Sequence, residues 1–199
     1  MGLGVGPFPR VIGNRRWLLV GTDYFIKWVK AKPLANIKDM DAKRFIWRNI
    51  VTRFGIPHTL ILDNGLQFDS KVFQRYCGEL GIRNRYSTPA YPQENGQAKA
   101  TNKVIVSGLK KRLDNAKGKW VDELPDVLWT YRTTPRRSTR ETPFSMTYGA
   151  EAIIHLESEF PTLRTDQFNV KENNRLLLNS LEVAEENREV ATVKMAYYQ

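Results

Sequence analysis

The stretch Leu60-Ile61-Leu62-Asp63-Asn64-Gly65-Leu66-Gln67-Phe68 decides the fold. Three apolar residues run straight into a carboxylate, and Asn-Gly follows. A short continuous apolar run closed by a turn signal predicts a strand buried on both faces. In an open parallel sheet, ligands gather beyond the carboxyl ends of such strands. Asp63 therefore stands where chemistry is expected, and Asn64-Gly65 lets the chain turn sharply beside it. Taken alone, Asp-Asn-Gly is more often an ordinary capped turn, so the surrounding chain has to decide.

On the N-terminal side, Trp17-Leu18-Leu19-Val20 continues through Thr22-Asp23-Tyr24-Phe25 as one strand, and Trp28 to Leu34 alternates as its hairpin partner. Before them, Leu3 and Val5 suggest a strand that Gly2, Gly4 and Gly6 weaken to barely five residues. Asp39 is expected to cap a helix with apolar positions Ala42, Phe45, Ile46 and Ile50, stopped by Gly55 and Pro57. On the C-terminal side, Ser70 opens a helix carrying Phe73, Tyr76, Cys77 and Leu80, closed by Gly81, and Ile82 to Tyr86 is a short strand. Pro89 to Gly96 reads as a loop. From about Gln97 a long helix runs to Leu113, apolar on Ala98, Thr101, Ile105, Leu109 and Leu113, with Lys99, Lys103 and Lys110 on the opposite face. A further helix spans Val121 to Tyr131, and Val170 to Tyr198 forms a last long one. In that last helix Leu177, Leu181, Ala184, Ala191, Met195 and Tyr198 fall on heptad-like spacing, interrupted by Arg188. Strands alternating with helices give an α/β chain with a mixed sheet.

Charge narrows the partner. Residues 1–150 hold 26 Lys/Arg and 12 Asp/Glu, a net of +14, whereas residues 151–199 hold 5 and 9, a net of −4. A basic body with an acidic tail points to a polyanion. The lone Cys77 excludes an internal disulfide framework, and His58 and His155 are too few for a His/Cys zinc site. No apolar run approaches the roughly 20 residues that cross a bilayer, so an intracellular setting is expected.

Seven pieces, VGPFPR, LLVGTDYFIKWVKA, RFGIP, LILDNGLQFDS, LGIRNRYSTPAYPQENGQA, LPDVLWTYRTTPR and TPFSMTYG, stand in the order found in one family. Through them the chain resembles the integrase catalytic core of long-terminal-repeat retrotransposons, in particular the Ty3/gypsy type common in plants. The resemblance implies a ribonuclease H-like α/β fold, a five-stranded mixed sheet flanked by helices. Here that sheet has a truncated first strand, and the chain ends in an extra long helix. Residues 1–150 are expected to form this core, 151–169 a linker and 170–199 an amphipathic helical tail.

Cores of this kind join transposon DNA ends to target DNA with Mg²⁺ or Mn²⁺. In-line transfer at phosphorus places charge on both the attacking and the leaving oxygen, and two divalent ions about 3.5–4 Å apart stabilise both. Such ions take oxygen ligands, which a cluster of carboxylates supplies. The resemblance maps the second of the family's three acids onto Asp63. The first falls at Leu3 or Gly4, neither an acid, and Asp23 belongs to the second strand's own motif. The third falls where Asn95-Gly96-Gln97-Ala98 is followed by Lys99, while Glu94 lies outside the motif. A lysine there reverses the charge: at an effective dielectric of 20 and 4 Å, unit charges repel by about 4 kcal/mol, and a divalent ion doubles that.

Asp63 is thus the one acid expected to survive, the metal site is expected to be non-functional, and Mg²⁺ or Mn²⁺ is expected not to bind. Lys99, Lys103 and Lys110, with Asn64 and Gln97, are the candidate DNA contacts. They would bind phosphates with low sequence specificity. An inactive, DNA-holding core is the favoured function. An active metal-dependent strand transferase or endonuclease, and a non-catalytic module self-associating through the C-terminal helix, are the alternatives. A nuclear location follows if the chain functions on DNA, and no membrane role is expected.

Overall fold

The computed structural model describes residues 1–63, 65–86, 92–116, 120–152 and 168–197. Contacts divide the chain into two compact units, Met1–Trp129 and Thr130–Gln199.

The first unit is built on a five-stranded sheet. Its strands are β1 (Gly2–Val11), β2 (Arg15–Thr22), β3 (Val29–Leu34), β4 (Thr59–Leu62) and β5 (Arg83–Tyr86), in the order β3-β2-β1-β4-β5. β1 is central, as the resemblance implies. It pairs antiparallel with β2, β2 antiparallel with β3, and β4 runs parallel to both β1 and β5. This is the mixed ribonuclease H-like sheet.

Five local expectations are corrected. β1 spans ten residues, not five, because Pro7-Phe8-Pro9 continues extended beyond the glycines. The shortfall falls on one side only, where β1 pairs with β4 just at Gly2 and Leu3. β2 stops at Thr22 instead of running to Phe25: the Asp23 carboxylate accepts the Phe25 and Ile26 amides, each at 2.9 Å, and turns the chain. Helix α1 (Asp39–Ile46) starts at Asp39, and the amide of Lys38 before it donates to the Asp41 carboxylate at 3.2 Å. β4 is buried on one face, through Leu60 and Leu62, while Thr59 and Ile61 are half-buried. Helix α5 (Pro92–Ala116) begins five residues before Gln97, since proline fits a first helical turn that has no use for its missing N–H.

Other expectations hold. α1 continues through a π-helical turn (Trp47–Val51) into α2 (Thr52–Phe54), and Gly55, at φ 86°, ends it. Ala42, Phe45, Ile46 and Ile50 are buried. Short α3 (Leu66–Asp69) leads to α4 (Lys71–Glu79), where Ser70 accepts the Phe73 amide at 3.1 Å. Phe73 and Cys77 are buried by α4, and Gly81, at φ 69°, leaves the helix. Together Leu3, Leu19, Phe45, Leu60, Leu62, Phe68 and Phe73 form one core between the sheet and α1, α3 and α4. α5 packs on β1, β2 and β4, burying Thr101, Ile105 and Leu109. Helix α6 (Trp120–Thr133) begins in this unit with Trp120 buried. The Trp120 indole stacks on Phe8 at 4.8 Å and donates to the Pro9 carbonyl at 2.9 Å.

In the second unit, α7 (Pro143–Tyr148) packs against α8 (Val170–Tyr197). That contact places α7 in one compact unit with the C-terminal helix. Most of the expected linker, residues 153–167, and Tyr198 lie outside the described residues. Ala184 and Ala191 are buried, and Arg188 donates to the carbonyls of Met146 and Thr147 at 2.9 and 3.2 Å. Arg188 therefore belongs to the seam it was expected to interrupt. Leu177 and Leu181, on the same line of the helix, stay 58% and 67% exposed. No helix among the described residues is long and apolar enough to cross a membrane.

Candidate functional site

Asp63 directly follows β4, and its amide donates to the Leu3 carbonyl of β1 at 3.3 Å. Its carboxylate accepts the Gly65 amide at 3.3 Å, closing a small turn. The chain after that turn is pinned by apolar burial. Phe68 is fully buried, meets Phe73 edge-on at 5.5 Å, and its carbonyl accepts the Tyr86 hydroxyl at 2.8 Å. A strand end, a turn and an aromatic anchor thus fix one carboxylate at the rim of the sheet.

A cavity of about 670 Å³ opens beside it. Arg16, Trp17, Lys38, Asp63 and Gln67 are among the residues lining it. Hairpin register explains how residues 16 and 38 meet there. Trp17 pairs with Leu34, so Arg16 lies beside the chain that leaves β3 toward Lys38. The Arg16 guanidinium stacks over the Trp17 indole at 5.2 Å from the ring centre. Among the described lining residues, two cations and one carboxylate leave a net positive charge.

The sequence-derived site residues do not all gather here. Asp63 does. Leu3 is fully buried in the core, its side chain facing inward with Leu60 and Leu62. Since Leu3 pairs with Leu62, the next step of that parallel register would set Gly4 beside Asp63. Lys99, Lys103 and Lys110 lie exposed along one face of α5, away from the buried Ile105 and Leu109. Lys99 is not among the described residues that line the Asp63 cavity. Asn64 lies outside the described residues, and Gln97 is described only as part of the α5 backbone.

The donors among the described residues do not fit a pair of divalent ions. Among the described residues, no group of three or more His, Cys, Asp or Glu could hold a metal. Among the described lining residues a single carboxylate shares the cavity with a guanidinium and an ammonium, a set that does not neutralise two such ions.

Compared with known proteins, the chain is 30% identical over 179 residues to the Gag-Pol polyprotein of avian reticuloendotheliosis virus, which covers 90% of this chain and 15% of the polyprotein. It is 37% identical over 151 residues to the Gag-Pol polyprotein of woolly monkey sarcoma virus, covering 75% of this chain and 9% of that one. The chain therefore spans only a small part of the curated relatives it matches. Among solved structures, the intasome of simian T-cell lymphotropic virus in complex with PP2A regulatory subunit B56 gamma aligns with a TM-score of 0.63 at 24% identity, over 72% of this chain and 52% of that one. The trimeric HTLV-2 integrase catalytic core domain in complex with magnesium aligns at 0.59 and 19% identity, over 72% of this chain and 92% of that one.

The chain has the fold of retroviral integrase catalytic cores and is similar in sequence to part of retroviral Gag-Pol polyproteins. No family model matches it. In this chain, sequence reasoning missed Arg16, Trp17, Lys38 and Gln67 as neighbours of Asp63. The signal was hidden because Arg16 and Lys38 belong to separate segments that only the hairpin register brings together.

Proposed function

We propose that this integrase core is a Ty3/gypsy-type retrotransposon product that holds DNA without catalysing strand transfer. The observation that carries the reading is the composition of the Asp63 cavity: among its described lining residues one acid stands with two cations, Arg16 and Lys38. Of the two positions open for the first acid, Gly4 is the better match: continuing the β1–β4 register one step beyond Leu3 would bring it beside Asp63, whereas Leu3 is buried in the core. A glycine there supplies no ligand. Lys99 stands at the third position with a like charge in place of a carboxylate. Without an anionic cluster, the two-ion stabilisation of attacking and leaving oxygens has no support.

DNA holding rests on the basic α5 face of Lys99, Lys103 and Lys110, which offers phosphates a sequence-tolerant surface. A nuclear setting follows from that role. The test is a labelled terminal duplex incubated with Mn²⁺. No strand-transfer product is expected. A product that vanishes in Asp63→Asn would overturn catalytic inactivity. Duplex affinity is expected to fall about tenfold or more between 50 and 200 mM salt, and a flat response would overturn DNA holding.

A second reading, self-association, is favoured by Leu177 and Leu181 of α8, both more than half exposed. Sedimentation should show a dimer that Leu177→Lys/Leu181→Lys returns to monomer.

A further inference from the structure

A cleft that has lost its metal ligands need not have lost its ligand. Phosphodiesters are recognised as well by guanidinium and ammonium groups as by bound cations. The Asp63 cavity contains both, on Arg16 and Lys38. Its volume, about 670 Å³, lies within the range of small-ligand sites.

Arg16 is also oriented. Its guanidinium rests over the Trp17 ring at 5.2 Å, and Trp17 is held in β2 by pairing with both Pro7 and Leu34. A planar fork fixed on an aromatic face loses little freedom when it takes a phosphate. Lys38 sits at the turn into α1, its backbone amide already bonded to Asp41, which fixes where its side chain departs. The amide side chain of Gln67 adds an uncharged donor at the same rim. Asp63 is the only acid among the described lining residues.

We infer that this cavity seats a DNA phosphodiester directly between Arg16 and Lys38, with no divalent ion, and that Asp63 opposes the binding it would serve in a metal-loaded core. The inference rests on the DNA-holding reading above and goes further than it. It moves the strongest phosphate contact from the α5 face to the Asp63 cavity, and it reverses the expected effect of removing the surviving acid. An acidic peptide is the competing occupant. The planar fork of Arg16 and the basic α5 face on the same unit favour DNA over it.

The test is fluorescence anisotropy of a labelled duplex with the full chain, in EDTA and in Mg²⁺. The wild-type chain is expected to bind equally in both. Arg16→Gln/Lys38→Gln is expected to weaken binding about tenfold and to flatten the salt slope by about one to two. Asp63→Asn is expected to tighten binding several-fold in EDTA, a gain that misfolding cannot mimic. Lys103→Ala/Lys110→Ala separates the two claims. If that variant loses binding while Arg16→Gln/Lys38→Gln does not, DNA holding stands and the cavity assignment fails. Weaker binding by Asp63→Asn, a requirement for Mg²⁺, or displacement by poly-glutamate as effective as by unlabelled DNA would each overturn the assignment. No binding by the wild-type chain removes both readings.

Discussion

β1 is held in two different ways along its two sides. Toward β2 it keeps antiparallel register from Gly2 through Pro7, and it meets β2 again at Val11. Toward β4 the parallel ladder covers only Gly2 and Leu3, extended by the Ile61 amide donating to the Met1 carbonyl at 2.7 Å. The hairpin side joins neighbours in sequence, so little loop entropy opposes it. The β4 side joins segments nearly sixty residues apart with few backbone bonds, and its position depends on burial of Leu3, Leu60 and Leu62. The candidate site sits on that second side. Its geometry therefore leans on side-chain packing more than on the ladder.

The largest test of this contrast is Leu62→Ala, which should cost about 2–5 kcal/mol in urea unfolding. A loss no greater than that of a surface substitution would break the comparison. Hydrogen exchange should sharpen it: the amides bonding β1 to β4 are expected to exchange at least about tenfold faster than those bonding β1 to β2. Equal protection would place the two sides in one cooperative block. Removing the cap that starts α4, by Ser70→Ala, should cost about 1 kcal/mol, with the loss of helicity confined to the segment after β4.

The smallest effect concerns the thiol beneath that segment. Burial pushes the Cys77 thiol above its ordinary range, and a hydrogen bond from Asn84 pulls it partly back. The folded state thus favours the protonated form. Its stabilising share is complete below the unfolded thiol's value and is lost as pH rises through the folded one. Unfolding midpoints should decline above about pH 9, and less steeply in Cys77→Ala, whose starting stability is lower. Ellman's reagent should leave the native chain unlabelled at pH 8 and react fully in urea.

How far the sequence alone reaches can be judged residue by residue. Ala42, Phe45, Ile46 and Ile50 were legible because helical spacing reports which face is covered, whatever covers it. The Asp63 turn was legible because Asp-Asn-Gly after an apolar run has few other uses. The end of β2 was not, since Asp23-Tyr24-Phe25 has strand-like composition and only the Asp23 carboxylate bonding forward reveals the turn. The C-terminal heptads were half legible. Periodicity located one seam from Leu177 to Met195, yet α7 is a short helix and covers only its later part, so Leu177 and Leu181 remain bare. Arg16 and Lys38 were invisible as a pair, because their meeting depends on strand register and no local pattern encodes it.

The clasp between Trp120 and the end of β1 bears on how the chain is made. Pro9 and Trp120 are 111 positions apart. A ribosome must therefore add 111 residues after Pro9 before the far end of the central strand can be latched. Until then the nascent hairpin carries an unsecured, proline-punctuated tip that waits on a single indole.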